Sequence, residues 1–315
     1  MDDVLTLAFI TSVLAAAIPA GTAILYACLG ELLCERAGVL NLGVEGMMLM
    51  GALGGFAVTF WTESVWLGAL AALAVGGAMA TIHAVLTVSL RANQVVSGLA
   101  LTLFGTGLSA FLGQSFVGQP AGGAFHRLAI PGLSEIPRLG TILFRQDALV
   151  YTSYLVVPFL WWYVFRTRPG LNLRAVGERP ATADAMGLDV VRLRYAYVIA
   201  GGALAGLGGA AISLGTNPGW TENITAGRGW IAVALVIFAT WNPARAALGA
   251  YLFGGVEAGQ FRLQSVGIPV SSFFLNMLPY LFTIAVLILA TRQSARMRIG
   301  APAALGRAFV REERD

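Results

Sequence analysis

Few residues in this chain can do chemistry, and most of them interrupt apolar stretches. In the run from Arg36 to Gly51, Asn41 and Glu45 are four residues apart. They share one face if a helix begins near Asn41. A carboxylate at membrane depth is a functional candidate by default; the competing reading has Glu45 near the membrane interface, paired with Arg36. Further along, Glu257, Gln260 and Gln264 follow an i, i+3, i+7 spacing and form one polar stripe. Such a stripe faces a cavity or another helix, not lipid. Asn217, Trp220, Glu222, Asn223 and Arg228 gather within 215–242. These groups offer amide hydrogen bonds, stacking and charge, which is the chemistry of recognition. Trp220 and Trp230 fit interfacial anchoring equally well. No nucleophile–base constellation stands out. His83 and His126 are isolated, and Cys28 and Cys34 read as small apolar packing residues. The Asn223-Ile224-Thr225 sequon reads as a chance match.

The elements that must position these groups are membrane helices. Hydrophobic residues make up 57% of the chain and charged residues 11%, where a soluble domain carries about 25% charged residues. Roughly 20 apolar residues cross a bilayer as a helix, and the apolar runs predict about nine spans, near 4–27, 41–61, 66–90, 95–116, 148–166, 195–216, 229–241, 246–262 and 273–291. The seventh is short and has room to begin earlier, within 224–229. A re-entrant segment fits at 30–45, where non-helical backbone must be satisfied by protein or water. The runs are too long and too uniformly apolar for barrel strands. The expected class is therefore an all-α polytopic membrane protein, with one transmembrane domain over 1–292 and a cytoplasmic tail over 293–315. The 39 glycines favour close helix packing, with small-xxx-small spacings at Gly51/Gly55, Gly68/Ala72/Gly76, Gly202/Gly206 and Gly255/Gly259.

Lysine is absent, so all 20 basic residues are arginine. A phosphate-binding P-loop needs its lysine, and a Schiff base needs an amine. ATP-driven work would therefore need ATP bound on another subunit. The net charge of +4 is explained by arginines flanking spans, not by nucleic acid. Arg166, Arg168, Arg174, Arg179, Arg192 and Arg194 crowd 166–194, and Arg292, Arg296, Arg298, Arg307, Arg311 and Arg314 crowd the tail. Both regions are expected to be cytoplasmic, as are Arg36 and Arg91, with the N-terminus outside. Arg127, Arg138 and Arg145 in the outer loop 117–147 run against this rule. Met1-Asp2-Asp3 lacks the basic start of a cleaved signal, so the first span is expected to be retained.

The loop 166–194 contains one further device. Pro180 suits the first turn of a short helix and Gly187 its stop, and the residues between them tolerate helix. Such a helix is too short to stand alone. It needs a partner surface, such as a separate motor subunit, or it is an ordinary amphipathic loop at the headgroups.

Four stretches, in this order, carry a family resemblance. They are Glu35-Arg-Ala-Gly-Val-Leu-Asn-Leu-Gly-Val-Glu-Gly-Met-Met48, Arg174-Ala-Val-Gly-Glu-Arg-Pro-Ala-Thr-Ala-Asp-Ala-Met-Gly187, Gly227-Arg-Gly-Trp-Ile-Ala-Val-Ala-Leu-Val-Ile-Phe238, and Arg262-Leu-Gln-Ser-Val-Gly-Ile-Pro269 with Met277-Leu-Pro-Tyr280. Nearly the whole chain resembles permease subunits of bacterial ATP-binding cassette importers for nucleosides, within the simple-sugar and branched-chain amino acid permease superfamily. The resemblance implies a multi-pass inner-membrane subunit with no catalytic residues of its own. Its partners would be cytoplasmic ATPase subunits holding ATP and magnesium, a second permease of different sequence, and an extracytoplasmic substrate-binding lipoprotein. It implies a coupling helix at Arg179, Pro180, Ala181, Thr182, Ala183, Asp184, Ala185, Met186 and Gly187, and a pathway near Asn41 and Glu45. Asn217, Trp220, Asn223, Glu257, Gln260 and Gln264 complete the expected pathway. Trp230 and Ala239-Thr240-Trp241 stand where relatives often carry smaller or different residues. Simple sugars and branched-chain amino acids are the rival substrates. An ion-coupled secondary transporter is the rival class; it would need coupling groups at the midplane, where Glu257 is the clear carboxylate.

Overall fold

The computed structural model describes residues 7–265, 271, 274–275, 277–285, 288 and 301–310. Its main elements are α1 (Leu7–Arg36), α2 (Val44–Thr62), α3 (Val65–Ala84), α4 (Gln94–Gly113), α5 (Leu139–Leu143), α6 (Ala148–Arg166), α7 (Arg168–Glu178), α8 (Pro180–Ala185), α9 (Val190–Ala210), α10 (Arg228–Phe238) and α11 (Pro243–Ser265). Single π-helical turns prolong α3 over Val85–Ser89 and α9 over Ala211–Thr216. A two-residue antiparallel pair, Leu128–Ala129 with Arg145–Gln146, closes the loop before α6.

Among the described residues, six helices are long and apolar enough to cross a membrane: α1, α2, α3 and α9 with their extensions where present, α4 continued to Phe116, and α6. The prediction for α6 matches its observed bounds. The first predicted span ends too early, because α1 runs on to Arg36. Its last turns carry Glu31 and Glu35, which read as a span end in sequence but are buried by protein. The second begins later than expected, at Val44, which leaves Asn41 outside the helix. The seventh is an 11-residue helix, too short to cross at 1.5 Å per residue. The eighth, α11, is longer than predicted at 23 residues. Of the ninth, the described residues at 277–285 are helical. Arg292, Arg296, Arg298, Arg311 and Arg314 lie outside the described residues.

Helix α9 is the hub, packed against α1, α2 and α3. Its glycines let backbones touch. A Cβ at Gly206 would lie 3.0 Å from Gly76 Cα and closer still to Ala72 O, and one at Gly209 would meet Ala52 N at 2.8 Å. The Gly51, Gly76, Gly202 and Gly206 positions of the expected small-residue spacings meet at this α2–α3–α9 junction. Gly255 and Gly259 do not make such an approach; a Cβ there would find its nearest atoms at 3.8 and 3.9 Å. On α11 the close approach to α1 is at Gly254, whose Cβ would meet Gly21 Cα at 2.8 Å.

Polar side chains begin and repair the helices. Asn93, Asp147, Thr167 and Asp189 accept backbone N–H bonds at the starts of α4, α6, α7 and α9. Pro19 sits inside α1, where a proline deprives the carbonyl four residues earlier of its partner. That carbonyl, Ala15 O, accepts instead from Gln146 Nε2 at 3.1 Å.

One end of the bundle collects the C-terminus of α1, helices α7 and α8, and the start of α9. There Ala304 N–H donates to Gly177 O at 2.9 Å, and Arg194 Nη1 donates to Arg307 O at 3.1 Å. The regions expected on one side from arginine counting, among them 166–194 and Arg307 of the tail, therefore share this end.

Candidate functional site

The segment 217–227 between α9 and α10 contains no helix. Asn223 and Ala226 adopt left-handed backbone with φ of 55° and 47°. Gly227 ends the segment as the N-cap of α10 with φ 81°, a conformation that suits glycine. The N-terminus of α10 then meets Glu45. The carboxylate accepts from Thr225 Oγ1 at 2.5 Å and Gly227 N at 2.9 Å through Oε1, and from Gly229 N at 2.6 Å through Oε2. Glu45 is 4% exposed, and a negative charge suits a helix N-terminus with orphan N–H groups. A Cβ at Gly229 would lie 2.6 Å from Glu45 Oε2 and Cα, so glycine at 229 permits the approach. Neither sequence reading of Glu45 anticipates this role. Arg36 does not pair with it; Arg36 Nη2 donates to Trp241 O at 3.1 Å.

The other end of α10 is held as well. Trp241 Nε1 donates to Glu35 Oε2 at 2.5 Å. Glu31 Oε1 accepts from Asn41 N at 2.9 Å, and Asn41 Oδ1 accepts from Gly43 N at 2.9 Å, closing the turn into α2. The i, i+4 face proposed for Asn41 and Glu45 does not form, because the helix starts after Asn41. Glu31 and Glu35 escaped the sequence reading; their signal was an acidic i, i+4 pair just before Arg36.

Two cavities flank α10. The larger, of about 730 Å³, is lined by Pro19, Ala23, His126, Asp147, Asn217, Arg228, Glu257 and Arg262, among others. On its wall Arg228 and Glu257 form an ion pair with side chains 19% and 15% exposed. Arg228 Nη1 also donates to Ile224 O at 3.2 Å and Thr225 O at 3.1 Å, so it braces the irregular segment. Burial pushes the Asp147 carboxyl above its usual range, opposed by N–H bonds from Val150 and Leu149 and by Arg127. The second cavity, of about 520 Å³, is a groove formed by Glu45, Thr102, Thr106, Asn223, Ala226, Gly227, Trp230 and Tyr280.

The expected pathway residues thus divide. Asn217 and Glu257 meet in the larger cavity, and Glu45 and Asn223 in the groove. Asn41, Trp220, Gln260 and Gln264 line neither. Trp220 is 2% exposed and packs where a Cβ on Gly113 would clash with its ring. Gln260 is 6% exposed and Gln264 is partly buried, both on α11.

The expected coupling helix is α8. Pro180 occupies its first turn, Gly187 follows it with φ 84°, and Ala183 is buried. Ala181, Thr182, Ala185 and Met186 are exposed, and Arg179 and Asp184 flank them. Ala183 packs with Val176 of α7 and Val190 of α9.

Comparison with known proteins accounts for this arrangement. Residues 9–291 match the family model described as branched-chain amino acid transport system / permease component. The chain is similar to a putative glucose ABC transporter permease protein, TsgC13, of Haloferax volcanii, with 44% identity covering 97% of this chain and 99% of the relative. It is also similar to the nucleoside ABC transporter permease protein NupC of Lactococcus lactis, with 38% identity over 85% of this chain and 88% of the relative. The guanosine ABC transporter permease protein NupQ of Bacillus subtilis is 36% identical over 82% of this chain and 85% of that protein. A mostly helical bundle with several membrane-length apolar helices, and a family match over nearly its whole length, identify the chain as a multi-pass transport subunit and not an enzyme: it belongs to the branched-chain amino acid transport system permease family of ABC transporters.

Proposed function

We propose that this chain forms one half of the translocation pathway of an ATP-driven nucleoside importer. The observation that carries the substrate class is the similarity to permeases named for nucleosides and guanosine. The groove supports it chemically. Trp230 and Tyr280 offer ring faces, and Thr102, Thr106 and Asn223 offer hydrogen bonds, which suits a planar heterocycle bearing hydroxyls. The relative named for glucose favours a second reading, a simple sugar as cargo.

In this reading the chain crosses a bacterial inner membrane about nine times, with α10 and the segment before it acting together as one irregular crossing. The N-terminus faces outward and the arginine-rich end faces the cytoplasm. Asn217, Arg228 and Glu257 line the outward cavity, while Glu45 and Asn223 mark the route beyond it. A second permease of different sequence completes the pathway, and a binding lipoprotein delivers the cargo. Two ATPase subunits hold ATP and magnesium, and one of them grips α8 through Ala181, Thr182, Ala185 and Met186. Their closure moves α8, and the spans alternate between outward-open and inward-open arrangements.

The test is ATP hydrolysis by the assembled complex in liposomes, with the binding protein loaded in turn with nucleoside, glucose or a branched-chain amino acid. Stimulation by nucleoside alone supports the proposal. Stimulation by glucose alone transfers the assignment to sugars. Uptake driven by an ion gradient through this chain alone would overturn the importer mechanism.

A further inference from the structure

Residues 301–310 lie across the loop end of the bundle and contact α4, α7 and α9 around α8. Ala304 N–H donates to Gly177 O at 2.9 Å and Ala303 N–H to Glu178 Oε2 at 3.3 Å. Gly177 and Glu178 end α7, where carbonyls lack intrahelical partners. Arg307 O accepts from Arg194 Nη1 of α9 at 3.1 Å and from Gln94 Nε2 of α4 at 3.5 Å. Gln94 Oε1 accepts in turn from Leu40 N at 2.7 Å, in the turn between α1 and α2. Phe309 packs against the cluster of Val176, Ala183 and Val190, which joins α7, α8 and α9. Pro302 and Ala304 are buried.

Helix α8 has six residues and buries Ala183 alone. A helix that short has no stability of its own, so its position depends on what packs beneath it. Arg194 strengthens the dependence. It is 1% exposed, and its Nε and Nη2 have no hydrogen-bond partner among the described residues. The carbonyl of Arg307 is thus a principal acceptor for a buried cation.

We propose that residues 301–310 are a strap that makes α8 move as one body with α7 and the base of α9. It would pass displacement of α8 into the membrane core instead of letting the short helix yield. The proposal rests on α8 being the element the ATPase grips, and the experiment separates the two.

Three variants of the full complex are compared in liposomes for ATPase-subunit affinity, ATP hydrolysis and substrate uptake per ATP. Phe309→Ala should leave ATPase affinity within about twofold while uptake per ATP falls by roughly tenfold, a typical size for a coupling free energy. Phe309→Leu should restore most of the loss. The pair Glu178→Cys with Ala303→Cys, oxidised to a disulfide, should keep transport, because a strap that moves with α7 need not release. Loss of transport on oxidation with recovery on reduction would overturn the proposal in favour of a releasable lid. Unchanged uptake per ATP in Phe309→Ala would also overturn it, as would a loss of ATPase affinity alone. Met186→Arg, on the exposed side of α8, tests the underlying reading. It should abolish ATPase binding; full binding would remove α8 as the docking element whatever Phe309 does.

Discussion

Replacing Glu45 by glutamine tests the central contact of the structure. The carboxylate accepts three hydrogen bonds, two through Oε1 and one through Oε2. A glutamine can present its oxygen to Thr225 Oγ1 and Gly227 N, but its amide NH2 then opposes the Gly229 N–H. One charge-assisted bond is lost, worth about 1.5–3 kcal/mol. The favourable charge at the N-terminus of α10 disappears as well, worth about 1 kcal/mol in a partly buried setting. The sum is about 3 kcal/mol, which is roughly a hundredfold in an opening equilibrium. Hydrogen exchange followed by mass spectrometry reads this directly. Peptides covering 224–231 should exchange about a hundredfold faster in Glu45→Gln, while peptides from the middle of α9 stay unchanged. Unaltered protection at 224–231 would refute the role assigned to Glu45, and equal acceleration everywhere would show a global defect instead of a local one.

Other substitutions separate further contacts. Gly206→Ala should cost about 1–3 kcal/mol by overpacking and lower the unfolding midpoint in detergent, because its Cβ would drive into Ala72 O; Gly255→Ala, with its nearest neighbour at 3.8 Å, should leave the midpoint unmoved. Glu257→Gln strips the partly buried Arg228 of its charged partner and should cost about 1.5–3 kcal/mol, with the charge-reversed pair Arg228→Glu/Glu257→Arg recovering part of the loss in the same melt. Asp147 retains its proton to higher pH when folded than when unfolded, so its contribution to stability falls as pH rises from the ordinary aspartate range through the raised native value. Asp147→Asn keeps a cap for Val150 N and removes that penalty, so its melting temperature should match or exceed the parent's at pH 7 and show a flatter pH profile in acid; a marked drop at pH 7 would contradict the burial argument.

Legibility in the sequence followed the environment of each residue. Helix α6 could be read to its bounds because Asp147 caps it and Thr167 stops it locally. The caps of α8 were readable for the same reason, since Pro180 and Gly187 act through their own backbone. The end of α1 was not, because Glu31 and Glu35 are polar in sequence but enclosed by Asn41 of the following turn and by Trp241 from a distant segment. The polar stripe on α11 was visible, but its partner Arg228 depends on how α10 packs. Small-residue spacings named three of the touching helices correctly, yet the same spacing at Gly255/Gly259 makes no close approach. Spacing records the opportunity for contact, and only the fold decides which face is used.

The double tether on α10 has a mechanical consequence. Glu45 of α2 grips its first turn, and Glu35 and Arg36 of α1 hold Trp241 just past its end. The short helix is therefore a strut tied at both ends to α1 and α2, so its position follows theirs. Any bending of the chain around α10 falls beyond these ties. On one side that is the stretch around Gly219, with φ 151°; on the other it is the link to α11 after Thr240 and Trp241, with φ 50° and 54°. Helix α10 thus rides with α1 and α2, which the close glycine contacts of α9 and α11 hold in turn.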